Sequence, residues 1–144
     1  MMTTASRHHD FSYGHRVYGH ESKCACLHGH NGRVTFHCEA TELDSVGRVI
    51  DFGVIKATLC DWIEHNWDHK FLFSDADPVG KLLLNAIGHV DQLGITQVPF
   101  NPTAENLAAY LLNVVGPNLL QMSGVTLVRV DFEETRKCGV TVTL

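Results

Sequence analysis

From His28 to Thr41 the chain alternates in character with a period of two. His30, Gly32, Val34, Phe36 and Cys38 share one face, and Asn31, Arg33, Thr35, His37 and Glu39 share the other. Successive side chains of an extended strand point to opposite sides, so this run is expected as a strand with one apolar and one polar face. The same period appears between Asp10 and Val17, where Phe11, Tyr13, His15 and Val17 alternate with Ser12, Gly14 and Arg16. A polar segment, Gly19 to Leu27, separates the two runs. They read as antiparallel strands joined by a functional loop.

Downstream the period changes. Val54, Ile55, Leu59, Trp62 and Ile63 have helical spacing, with Asp51 as the expected amino-terminal cap and a break at Asn66 to Asp68. A shorter helix is expected from about Pro78 to Leu93. Asn101-Pro102-Thr103-Ala104-Glu105 is a stronger start signal: Asn or Thr can cap, Pro is tolerated in the first turn, and Glu suits the positive end of a helix running to about Leu120. Val125 to Phe132 and Cys138 to Leu144 alternate again, with Glu133 to Lys137 as the turn between them. The order is two strands, helices, two strands. With 144 residues and no repeat or linker, residues 1–144 are expected to form one α+β domain.

Composition excludes more than it selects. No apolar stretch approaches the roughly 20 residues of a membrane span. A net charge of −5 argues against a nucleic-acid partner, which would call for a basic face. Met1 to Asp10 lacks the apolar core of an export signal, and five cysteines without framework spacing suit a reducing compartment, so a cytoplasmic protein is expected.

The chemistry gathers around histidine, of which there are ten. His28 and His30 are two apart on a strand and present two imidazoles on one face, a geometry that can grip a metal ion. His15, on the neighbouring strand, is the natural third ligand. Three histidines leave the fourth tetrahedral position open, as in catalytic zinc sites. A competing reading takes Cys24, Cys26, His28 and His30 as a closed structural site, which would require a bend before His28. Cys24 follows Lys23, whose charge favours a thiolate. Asp68-His69 could form a carboxylate-oriented proton-transfer pair. Of Glu133 and Glu134, normally a solvated strand edge, one could accept paired hydrogen bonds from an amidine-like group.

In this order and at these distances, several pieces resemble the 6-pyruvoyl- and 6-carboxy-tetrahydropterin synthase family: Phe11-Ser12 with His15, Cys24 before His28-Gly29-His30, Val49-Ile50-Asp51-Phe52, Asp68-His69, Asn101 to Asn106, and Glu134-Thr135. The resemblance implies a T-fold, a four-stranded antiparallel sheet with two main helices packed on one face. It also implies a homohexamer, a trimer stacked on a trimer, with active sites between subunits. It makes His15, His28 and His30 the ligands of Zn2+ and Cys24 the catalytic thiol. Asp68 and His69 would be the proton-transfer residues contributed by a neighbouring subunit. Glu134 would be the pterin anchor, with Thr103 and the backbone of Ala104 lining its pocket, while Glu105 belongs to the helix start.

The implied substrate is 7,8-dihydroneopterin triphosphate. Three residues, Ala25, Cys26 and Leu27, separate Cys24 from His28, the spacing of the carboxy synthases rather than the five residues usual in pyruvoyl synthases. That favours 6-carboxy-tetrahydropterin with release of acetaldehyde, on the route to queuosine and related 7-deazapurines. Three features depart from the pattern. Tyr13-Gly14 stands where small residues are common and Trp67 where an aliphatic is usual, and both are expected to reshape the pocket. The segment from Phe71 to Phe100 is longer than in compact members and is expected to cover the pocket or alter subunit contacts. Arg16, Lys23, Lys70, Arg136 and Lys137 are candidates by charge for the triphosphate.

Overall fold

A computed structural model of the chain describes residues 1–87 and 93–144. The two amino-terminal runs form β1 (Thr4–His15) and β2 (His28–Ala40), paired antiparallel with His15 opposite His28 and Tyr13 opposite His30. β1 begins at Thr4, earlier than the apolar alternation suggests, because its first residues pair along β2 without burying an apolar face. Two carboxy-terminal strands, labelled β5 (Val125–Glu133) and β6 (Gly139–Thr143) in chain order, continue the sheet antiparallel beyond β2.

These four strands are the expected antiparallel unit, but the sheet has six. β3 (Lys70–Ser74) runs parallel to β1, and β4 (Ile95–Val98) runs parallel to β3, giving the order β4-β3-β1-β2-β5-β6. The long segment after Phe71 therefore widens the sheet. Between β3 and β4 lies α3 (Pro78–Ile87), and the rest of the helix expected there, 88–92, falls outside the described residues. Gly80 lets α3 sit directly on β3, since a Cβ there would lie 1.8 Å from the Phe73 ring.

The remaining helices cover one face of the sheet, while α3 sits on Phe73, which points to the opposite side from the core residue Leu72. α1 (Phe52–Ile55) continues through a π-helical turn, Lys56–Cys60, into α2 (Asp61–Asn66), and Asp51 caps it as expected, accepting the Gly53 amide at 2.7 Å. α4 (Ala104–Tyr110) continues through Leu111–Val115 into α5 (Gly116–Leu119), and the cap is Thr103, whose hydroxyl accepts the Asn106 amide at 3.2 Å. Ile55, Leu59, Ile63, Leu107 and Leu111 pack onto Phe11, Val34, Phe36, Val130 and Phe132 of the sheet. Removing this apolar area from water is the main favourable term of the fold. Trp67 belongs to the same core, edge-on to Trp62 with centroids 5.0 Å apart, so it fills the interior instead of reshaping a pocket.

On β1, β2, β5 and β6 the opposite face is polar and largely self-paired. Arg33 forms a two-point ion pair with Asp10 (2.7 and 3.1 Å), Ser12 donates to Asn31, and Asp131 accepts from His37, Arg129 and Thr141. The alternation that makes a core on one side thus leaves a hydrogen-bonded surface on the other. Among the described residues, no helix is long and apolar enough to cross a membrane.

Candidate metal centre and active-site cleft

The pairing of β1 with β2 brings His15 beside the His28/His30 pair at the end of the strands. The three imidazoles stand 4.6 to 5.0 Å apart, centroid to centroid, and one nitrogen from each falls within 4.8 Å of the other two. The cysteines do not join this group, which sets aside the closed thiol-ligated site.

Two backbone carbonyls orient the rings. His15 Nδ1–H donates to the Pro102 carbonyl at 2.6 Å and His28 Nδ1–H to the Cys26 carbonyl at 2.7 Å, so each presents a bare Nε2. His15 is 1% exposed. Burial pushes its imidazole down to about 4, against the pull of the Pro102 hydrogen bond, and His28 and His30 push the same way. Burial also lowers His30, with Glu134 opposing and His28 assisting. Near neutral pH, His15 is therefore uncharged, the form in which an imidazole can bind a metal ion. His15 Nε2 and His30 Nε2 lie 3.1 Å apart, close to the ~3.3 Å edge of a tetrahedron with zinc–nitrogen bonds of about 2.05 Å. The donor set fits a borderline-soft divalent ion with one position left open.

Glu134 closes on the same spot, its two carboxylate oxygens 3.7 Å from His15 Nε2 and 3.8 Å from His30 Nε2. Tyr13 leans over the triad, its ring 5.2 Å from His15 and 5.6 Å from His30, and its buried hydroxyl has no hydrogen-bond partner among the described residues. Burial, with the Glu134 charge, strongly disfavours its ionisation. Of the two departures expected to reshape the pocket, Tyr13 stands at the site. Gly14 answers it on the other face, where a Cβ would come within 2.9 Å of Phe71.

A cleft of about 340 Å³ opens beside the triad, lined by Cys24, Thr103, Ala104, Glu105, Glu134 and Cys138, among others. It gathers the thiol, the acid and the helix-start residues singled out in the sequence. Cys24 sits half-buried in a 3-10 turn, Lys23–Ala25, while Cys26 is exposed and touches the site through its carbonyl.

Asp68 and His69 lie elsewhere in the chain. They line a separate cleft with Ser12 and Asn31 on the polar sheet face, and His69 is 80% exposed. Asp68 takes the Ser12 amide on one oxygen at 3.0 Å and His69 Nδ1–H on the other at 2.7 Å. Burial raises the Asp68 carboxyl, but the Ser12 amide and His69 outweigh it and hold it below the ordinary range. His69 has φ of 57°, a left-handed conformation uncommon outside glycine. Its amide is tied to the Ser12 carbonyl at 2.7 Å.

Sequence reasoning did not find the Pro102 and Cys26 carbonyls, because backbone acceptors carry no residue signature. It offered Arg16 by charge as one candidate for a triphosphate, whereas Arg16 is bound to Asp77 and to the Ala25 carbonyl.

The chain is similar to known proteins over most of its length. A 6-carboxy-5,6,7,8-tetrahydropterin synthase of Rickettsia typhi is 37% identical over 142 residues, covering 98% of this chain and all of that one. One from Aquifex aeolicus is 29% identical, covering 87% and 88%. Among solved structures, an uncharacterized protein of Wolinella succinogenes superposes with a TM-score of 0.86 at 28% identity, covering 99% and 98%. The 6-pyruvoyl tetrahydropterin synthase of Caenorhabditis elegans does so at 0.69 and 21%, covering 100% and 96%, which shows a shared T-fold. The sequence model described as 6-pyruvoyl tetrahydropterin synthase matches residues 4–144, from the first residue of β1 through the last, and with it the chain belongs to that family.

Proposed function

We propose that the chain is a zinc-dependent lyase that converts 7,8-dihydroneopterin triphosphate and water to 6-carboxy-5,6,7,8-tetrahydropterin, acetaldehyde and triphosphate. The observation that carries this is the convergence of three imidazole nitrogens beside a cleft containing a thiol and a carboxylate. The choice of product is supported by the names of the full-length relatives and by the three residues between Cys24 and His28.

His15, His28 and His30 hold the metal, which when bound supplies Lewis-acid polarisation of the substrate's side-chain oxygens. Glu134 anchors the pterin by accepting two hydrogen bonds from its amidine edge, and Thr103 with the Ala104 backbone lines that pocket. Cys24 moves protons between the side chain and the ring. His69, oriented by Asp68, is the partner acid or base. In a single chain Cys24 and His69 open onto different faces, which supports a site completed by a neighbouring subunit and hence a homohexamer built as a dimer of trimers. The product would feed queuosine or other 7-deazapurine synthesis in the cytoplasm, with no nucleic acid or membrane as partner.

The test is to incubate zinc-loaded protein with dihydroneopterin triphosphate and identify products by mass. Carboxy-tetrahydropterin with acetaldehyde supports the assignment. Pyruvoyl-tetrahydropterin would move the chain to the other activity of its family, and stoichiometric binding without turnover would make it a pterin-binding protein. Cys24→Ala should abolish turnover and leave zinc content intact, and loss of metal in that variant would count against the three-histidine site.

A further inference from the structure

Asp77 is fully buried, yet it carries a carboxylate. One oxygen accepts Arg16 Nε–H at 2.6 Å and the other accepts the Val79 amide at 2.9 Å. Arg16 is itself largely enclosed, with 16% of its side chain exposed, and its Nη1 donates to the Ala25 carbonyl at 3.0 Å. The guanidinium therefore joins three places: the residue after His15 at the end of β1, the turn that carries Cys24, and the start of α3.

The turn has little else to hold it. Lys23–Ala25 contains no buried residue, and Ser22 gives it no side-chain cap. With no apolar anchor, its position depends on hydrogen bonds: Arg16 to Ala25, the Val17 amide to the Cys24 carbonyl at 2.8 Å, His28 to the Cys26 carbonyl just past the turn, and, at the base of the loop, Asn101, which binds both the amide and the carbonyl of Tyr18. Of the side chains named, Arg16 alone reaches the turn itself. A buried ion pair is a poor source of net stability, because desolvating two charges offsets most of their attraction. Its geometric value is greater, since a planar guanidinium fixes two acceptors in defined directions.

We propose that Arg16 and Asp77 are positioning residues for the Cys24 thiol: their buried ion pair holds the thiol-bearing turn against the end of the metal-ligand strand. The segment that widens the sheet thereby acquires a role at the site, supplying Asp77 from the residue just before α3, with α3 seated on Phe73 through Gly80. The proposal rests on the reading of Cys24 as the proton-transfer thiol.

The test uses the zinc-loaded full chain carrying Arg16→Lys or Asp77→Asn. The readouts are kcat, KM, zinc content, thermal midpoint and the rate at which iodoacetamide alkylates Cys24, with Cys24 and Cys26 resolved by fragment mass spectrometry. Arg16→Lys keeps a cation against Asp77 but loses the second arm to Ala25, so it separates tethering from charge burial. The expected result is a kcat lowered by about 100-fold, the scale of an ångström-sized misplacement. KM and zinc content should stay near the parent values, with faster alkylation of Cys24 but not of Cys138. Parent-like kcat and alkylation in Arg16→Lys would overturn the proposal, as would zinc loss in step with kcat, which would make the pair a support for His15. Should Cys24→Ala keep its turnover, the reading of Cys24 fails, and the alkylation rates still decide whether the pair positions that thiol.

Discussion

Burial of His15 makes the metal-free protein acid-labile by an amount that can be worked out. Its imidazole titrates near 6.5 in an unfolded chain and is pushed down to about 4 in the folded one. The unfolded state therefore binds the proton more readily, so stability is complete above pH 6.5, declines as pH falls, and reaches its full loss below pH 4. Linkage puts that loss at about 1 kcal/mol by pH 5.5 and roughly 3 kcal/mol at the acid limit. With the side chain 1% exposed, solvent screening removes little of this.

The comparison is with His15→Gln, whose amide can still donate to the Pro102 carbonyl but takes up no proton. Urea unfolding of both chelator-treated proteins at pH 7.5, 6.5, 5.5 and 4.5 gives an offset that should shrink in acid, by roughly 2 kcal/mol over the series, because only the parent loses the His15 contribution. Asp10, Asp68 and Asp131, all held below the ordinary carboxyl range, also cost stability in acid, but they do so in both proteins and cancel. An offset that stays constant from pH 7.5 to 4.5 would refute the claim that His15 is kept neutral by burial.

Two further outcomes follow from the same geometry. Burial pushes the Cys38 and Cys60 thiols up to about 11, so in the native protein at pH 8 a thiol reagent should label Cys24, Cys26 and Cys138 and spare these two, and labelling of all five without unfolding would contradict the core packing. Because Cys24 and His69 open onto different faces, Cys24→Ala and His69→Ala should each be inactive but recover activity when co-assembled, at about one site in four by random pairing; mixed oligomers without activity would place the whole site in one chain.

The sequence disclosed those parts of the molecule that repeat or that lie close along the chain. β1, β2, β5 and β6 each bury one face, so their alternation is visible, and His28 and His30 declare a shared face by being two apart. β3 and β4 gave no such signal. Lys70–Ser74 has Leu72 and Phe73 buried in succession, and a short apolar run of this kind is as compatible with a helix as with a parallel strand covered on both sides. Their pairing with β1 is a tertiary event with no local trace.

The site divides along the same line. The three converging histidines and the cleft residues were legible as side chains of known chemistry, while the groups that aim them were not. His15 is oriented by a carbonyl 87 residues away, and Arg16 is bound to a carboxylate 61 residues away. Arg16 shows the consequence most directly. As a sequence letter beside His15 it is a cation available to a phosphate, and once Asp77 is folded against it its charge is already matched and two of its donors are committed. Under the proposed function a triphosphate would be met by cations left open to solvent, and of the five candidates from the sequence, Lys23 adjoins the cleft thiol directly, in the turn whose Ala25 carbonyl Arg16 binds.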